Sequence, residues 1–146
     1  MIVYVNKIAY SEHIALVKGD VHGPEPVLVR MHALDVLHDV LGERGHGRGG
    51  EIEASMRLID EAGRGVIVLI REPSATRLSD LVNARLRGEV EAVSGLRDYG
   101  VGAQILLDLG VKDMILLSNT KRTIVGLEGY ALSVVEQRPI PSVEEQ

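Results

Sequence analysis

The chain contains no cysteine, no phenylalanine and no tryptophan, and its only aromatic rings of any size are four tyrosines. Without a thiol there can be no disulfide, no thiolate nucleophile and no zinc site built on sulfur ligands. With so few rings, the interior has to be assembled from Val, Leu, Ile, Ala and Met, which suits a layered α/β core. Basic charge is also short, the net charge being −5. A dedicated nucleic-acid binder would show a basic face and stacking aromatics, so no nucleic-acid partner is expected. No apolar run approaches the roughly 18 residues of a membrane span, and the amino terminus lacks a charged-then-apolar signal pattern. The expectation is a cytoplasmic protein with no membrane partner.

The 146 residues suit one domain, 1–146, long enough to bury about two-thirds of the unfolded surface. Ile2 to Ala9 and His13 to Val17 read as a β-hairpin. After the turn signal Gly23-Pro24-Glu25-Pro26, Val27 to Met31 reads as a third strand. His32 to Gly50 is the least regular region: a short packed segment precedes Gly42 to Gly50, which has five glycines in nine residues and is expected to be a mobile loop.

Glu51 to Ala62 has helical spacing, with Ile52, Met56 and Ile59 on one face and a stop at Gly63. Gly65 to Ile70 is a continuous apolar run, the form of a strand covered on both faces. A break at Pro73 leads to a helix through Leu78, Leu81, Val82 and Leu86, and Gly88 to Gly95 is a connection. The next helix starts near Asp98 as N-cap and turns Val101, Ile105, Leu106 and Leu109 inward before Gly110. Met114 to Leu117 is a second buried strand, Thr123 to Tyr130 a short helical segment, Leu132 to Val135 a last strand, and Pro139 to Gln146 a mostly polar tail. The fold class predicted is α/β, a mixed sheet flanked by helices, without internal repeats or interdomain linker.

Ligands tend to bind beyond the carboxyl ends of strands in such sheets. Leu96 to Arg122 combines a helix, a strand and the polar turn Ser118-Asn119-Thr120-Lys121-Arg122, which offers hydroxyls, an amide and cations to an anion. The same residues equally suit a helix cap with solvated Lys121 and Arg122. Arg97, beside Asp98, fits an ordinary surface interaction, and Arg30 and His32 share one strand face, where a buried hydrogen-bonded histidine is the simplest reading. The carboxylate pairs Asp60-Glu61 and Glu51/Glu53 are expected to face solvent. His46 stands near His32, Asp35 and His38, but no H-x-x-H or H-E-x-x-H spacing occurs, and Arg44 and Arg48 flank it, so no metal site is assigned. G-x-G-x-x-G, P-loop and G-x-S-x-G motifs are absent as well.

Five strings together resemble the GTP cyclohydrolase II family, whose zinc enzymes open the imidazole ring of GTP in riboflavin synthesis: Glu12-His13-Ile14-Ala15-Leu16-Val17-Lys18-Gly19-Asp20, Val27-Leu28-Val29-Arg30-Met31-His32, Gly63-Arg64-Gly65-Val66, Leu96-Arg97-Asp98-Tyr99-Gly100-Val101-Gly102-Ala103-Gln104-Ile105-Leu106 and Gly126-Leu127-Glu128-Gly129-Tyr130. The resemblance implies three zinc-binding cysteines at positions occupied here by Asp35, His46 and Arg48. A guanidinium has no lone pair to give a metal. The family's phosphate-contacting Arg-Gln-Glu-Gly-Arg-Gly reads Arg71-Glu72-Pro73-Ser74-Ala75-Thr76, its catalytic Asp falls on Gly95, the final Lys of its Asn-Asn-Pro-Arg-Lys falls on Thr123, and its catalytic Tyr has no counterpart in the shortened segment before Arg97.

By this resemblance the site is degenerate: no catalytic residue, metal or cofactor is assigned, and the residual ligand-binding candidates are Arg97, Ser118, Asn119 and Arg122. The implied role is a catalytically inactive GTP cyclohydrolase II-like domain that dimerises, supports or regulates a 3,4-dihydroxy-2-butanone 4-phosphate synthase domain. The start directly in a strand at Ile2-Val3-Tyr4 suits the carboxyl-terminal domain of a bifunctional-type protein. The partners expected are a second copy of the chain, a covalently linked synthase domain, and GTP or phosphate as ligand. The alternative is a nucleotide- or phosphate-binding enzyme of riboflavin biosynthesis with residual cyclohydrolase activity.

Overall fold

The computed structural model describes residues 1–43, 49–89, 96–120 and 127–142. The elements run β1 (Ile2–Asn6), β2 (Ser11–Lys18), β3 (Val27–Ala33), α1 (Val36–Asp39), α2 (Glu51–Ala62), β4 (Gly65–Ile70), α3 (Arg77–Leu86), α4 (Leu96–Asp108), β5 (Asp113–Leu117), a 3-10 turn (Glu128–Tyr130) and β6 (Ser133–Arg138). The described strands form one sheet in the order β1-β2-β4-β3-β5-β6. β4, β3, β5 and β6 are mutually parallel, whereas β2 runs antiparallel to both β1 and β4. The class is α/β with a mixed sheet, as its residues predict.

The central strands alternate between two apolar layers. Val66, Val68 and Ile70 of β4 join Val29 and Met31 of β3 and Met114 and Leu116 of β5 beneath Ala103, Ile105 and Leu106 of α4. On the opposite face, Ile67, Leu28 and Leu117 pack against Ala54 and Ile59 of α2. A strand buried on both faces has no polar side to alternate, which is why β4 reads as an unbroken apolar run. The Gly63-Arg64-Gly65 string has two separate backbone reasons. Gly63 ends α2 in the left-handed region at φ +78°. Gly65 lies where a Cβ would come within 2.8 Å of the Leu28 carbonyl oxygen, so only glycine lets β4 start this close to β3.

The hairpin, the bounds of α2 and the strands at 65–70 and 113–117 follow the expected pattern. Several apolar positions do not. Met56, Leu78, Val82 and Leu86 are exposed, while α2 buries Ala54, Ser55 and Ile59, and α3 buries only Leu81 and Ala84. Helix α4 already includes Leu96, so Asp98 lies within the helix and not at the N-cap position. The last strand runs to Arg138, and the tail after it is anchored by the buried Ile140. The expected loop and the helical segment from Thr123 both fall partly outside the described residues; Glu128–Tyr130 forms the 3-10 turn.

Candidate functional site

Because β3, β4, β5 and β6 are parallel, their carboxyl ends open on one side of the molecule, the position where a crevice is expected. Three groups of polar side chains lie at this end. The first is centred on Arg30. Its Nη2 donates to Glu51 Oε2 at 2.6 Å and its Nη1 to the Leu117 carbonyl at 3.2 Å. Glu51 is buried, contrary to the solvent-facing position its place on a helix suggests. The pair forms because the first turn of α2 lies over the face of β3 that carries Arg30.

Arg30 Nη2 also approaches His32 Nδ1 at 3.3 Å, while His32 Nε2 lies 2.9 Å from Asp39 Oδ2. A guanidinium can only donate, so this network assigns Nδ1 as acceptor and places the ring hydrogen on Nε2, facing Asp39. His32 is therefore a buried, hydrogen-bonded histidine, as its strand position suggests. Burial alone would raise the pKa of Asp39. The bonds from His32 and from the Asp35 amide outweigh it and hold the carboxyl below the usual carboxylate range.

The second group is at the end of β5. Ser118 is buried, its Oγ donating to the Thr120 carbonyl at 3.0 Å and accepting from the Thr120 amide at 3.1 Å. Asn119 brackets the tail: Oδ1 accepts from the Ile140 amide at 2.9 Å and Nδ2 donates to the Ile140 carbonyl at 3.2 Å, with Glu51 Oε1 3.4 Å away. The structure thus joins Asn119 to the Arg30–Glu51 pair. Both residues are engaged in bonds within the chain. The Arg97 side chain and all of Arg122 lie outside the described residues.

The third group surrounds Asp35. Its carboxylate caps α1, accepting from the Leu37 and His38 amides at 3.0 and 3.4 Å, and its Oδ2 is 3.0 Å from Arg85 Nη2. Arg85 Nε donates to Glu43 at 3.0 Å and Nη2 to His38 Nε2 at 2.9 Å. Asp35 and Arg85 are fifty residues apart in the chain, so no local signal announces their meeting. His46 and Arg48 lie outside the described residues.

A separate cavity of about 560 Å³ opens beyond β4, between the hairpin and the segment after Ile70, lined by Tyr10, Ser11, Glu12, Arg71, Pro73 and Ser74 among others. Arg71 is half exposed there, and its nearest carboxylate, Glu12, is 4.0 Å away. Tyr10 holds a left-handed backbone at φ +51°, a conformation uncommon for a bulky residue. His13 Nδ1 accepts from the Arg71 amide at 3.1 Å, tying β2 to the exit of β4.

A mixed α/β domain with a network of arginines, carboxylates and histidines at the carboxyl ends of its parallel strands is the class that fold and site define. Within that class, the chain belongs to the GTP cyclohydrolase II family, whose sequence model matches residues 1–139. It is 42% identical over 149 residues to a riboflavin biosynthesis protein RibBA of Bacillus cytotoxicus, covering 94% of this chain and 38% of that protein. It is 40% identical over 153 residues to a probable monofunctional riboflavin biosynthesis protein, RIBA 3, chloroplastic, of Oryza sativa, covering 95% and 28% respectively. Among solved structures it is similar to RibBX, a two-domain 3,4-dihydroxy-2-butanone 4-phosphate synthase from A. baumannii, with a TM-score of 0.48, 25% identity, and coverage of 89% of this chain and 32% of that one. The chain spans about two-fifths or less of the length of these curated relatives.

The zinc that this resemblance implies does not fit the residues described. The chain has no thiol, and Asp35 spends its carboxylate on two backbone amides and a guanidinium. Among the described residues no three His, Asp or Glu side chains are gathered as a ligand set.

Proposed function

We propose that this chain is a catalytically inactive GTP cyclohydrolase II-like domain which supports or regulates a 3,4-dihydroxy-2-butanone 4-phosphate synthase domain, covalently linked to it in a cytoplasmic protein of riboflavin biosynthesis. The observation that carries this reading is the ion pair between Asp35 and Arg85. A Lewis acid that generates hydroxide is central to metal-assisted hydrolysis, and here the position matching a zinc cysteine is bonded to a fixed cation of the chain itself. The substitutions at Gly95 and Thr123 and the engagement of Ser118 and Asn119 support the same reading. The kept apolar layers would then serve as a rigid scaffold. The test is metal analysis of the purified chain together with formate release from GTP: the expected result is substoichiometric zinc and no formate, and stoichiometric zinc with formate release overturns the proposal.

The cavity beside Arg71 favours a second reading, retention of a nucleotide or phosphate ligand without hydrolysis. Calorimetric titration with GTP and with pyrophosphate separates the two. Saturable binding that Arg71→Ala abolishes selects the ligand-binding reading, and no heat at millimolar ligand selects the scaffold.

A further inference from the structure

We infer that the cleft between the β1–β2 hairpin and α4 binds a small zwitterion of the ω-amino acid type, an ammonium and a carboxylate held apart by an apolar body, with Asp108 taking the ammonium and Lys7 the carboxylate. This goes beyond the proposed function and does not rest on it. The cleft measures about 380 Å³, a volume that suits a small-molecule site. It opens on the sheet face that carries α4, beside the outer strands, and shares only Val5 with the cavity beside Arg71.

The walls follow from the strand register. Tyr4 of β1 pairs with His13 of β2, and both face the α4 layer, where Tyr4 packs against the core. Helix α4 supplies Val101 and Ile105 to one side, and the hairpin supplies Ile8 to the other. His13 is buried, its Nδ1 bonded to the Arg71 amide and its Nε2 3.0 Å from Ser11 Oγ, so it gives the cleft ring surface. Two charged groups on this lining have capacity to spare among the described residues. Asp108 accepts one bond, from the Tyr4 hydroxyl to Oδ2 at 2.7 Å, which fixes the carboxylate and leaves Oδ1 unused. Lys7, in the hairpin turn, forms neither a hydrogen bond nor an ion pair with a described residue.

Elsewhere on this surface neighbouring opposite charges pair, as Arg87 does with Glu89 and Arg138 with Glu136. Lys7 and Asp108 line the same cleft and do not meet. Asp108 is held at Tyr4, and Lys7 lies three residues further along the chain, about 10 Å at the rise of a strand. A ligand that satisfies both must carry its charges at opposite ends. Its middle then rests on Val101 and Ile105, where a methylene chain gains by leaving water. A phosphate or nucleotide would face Asp108 with like charge, and a simple amine would face Lys7 in the same way.

The experiment is titration of the isotope-labelled chain with ε-aminocaproate, followed by amide chemical shifts. Three further probes each lack one feature: caproate has no ammonium, hexylamine has no carboxylate, and norleucine is the isomer whose two charges are adjacent. Saturable shifts confined to the hairpin and α4 are expected for ε-aminocaproate, with each of the other three binding about fivefold more weakly, the worth of one exposed ion pair. Lys7→Gln should weaken ε-aminocaproate by the same factor without weakening hexylamine. Asp108→Asn, which keeps an acceptor for Tyr4, should weaken it without weakening caproate. Arg71→Ala should alter none of these affinities, which separates the result from any ligand of the neighbouring cavity. Absence of saturable shifts up to about 50 mM ligand, shifts centred elsewhere, another probe binding as tightly as ε-aminocaproate, or variants that keep native circular dichroism and unchanged affinity would each overturn the inference.

Discussion

Arg30 and Glu51 meet at 2.6 Å with both side chains withdrawn from most of the solvent, at 13% and 9% exposure. Removing one partner from such a pair leaves a buried charge without compensation, so Glu51→Ala should destabilise the chain by about 3 kcal/mol or more, read as a lower urea midpoint. Tyr4 gives a pH-dependent counterpart. Burial, followed by the hydrogen bond to Asp108 at 2.7 Å and the charge of that carboxylate, raises the phenol to about 12. A group whose pKa is raised on folding adds stability that is complete below the unfolded value of about 10 and lost as pH climbs through the folded value. Stability should therefore fall between pH 10 and 12, and Tyr4→Phe should flatten that part of the profile in thermal melts. Neither residue is conspicuous in the sequence. Glu51 looks like one of several helix-surface acids, and its partner arrives from a strand twenty-one residues away.

The elements themselves were far more legible than their contacts. Period-two and period-3.6 spacing, with glycines at the ends, locates the hairpin, α2, β4 and β5 because backbone preference and burial act together there. Where an amphipathic pattern met no partner, the pattern misled: Leu78, Val82 and Leu86 have helical spacing, yet only Leu81 and Ala84 of α3 are enclosed. The tail after β6 shows the reverse case, a mostly polar segment held by one asparagine. Asn119→Ala removes both bonds to the Ile140 backbone. It should cost about 2 kcal/mol and speed amide exchange at Ile140, while exchange in β4 changes little. Of the four residues expected to hold a ligand, Ser118 and Asn119 can be placed in full, and side-chain chemistry alone could not say that their hydrogen bonds would be used internally.

At the scale of the whole molecule, one sheet divides two apolar layers, and each of its central strands contributes to both. The layers therefore cannot come apart independently. Leu106→Ala under α4 and Leu117→Ala on the α2 side should each cost about 3 kcal/mol, and each variant should still unfold in a single transition that coincides by circular dichroism and tyrosine fluorescence. Family membership was readable from ordered strings spread over the chain, and the family model matches residues 1–139. The meeting of Asp35, His38 and Glu43 around Arg85 could not be read in that way. It fastens α1 to α3 with components that are all encoded in the gene, so this joint can close as soon as both segments have been synthesised. Its ion pairs are only partly withdrawn from solvent, so added salt weakens the joint, and the hold of α1 on α3 becomes a property of the ionic medium as much as of the sequence.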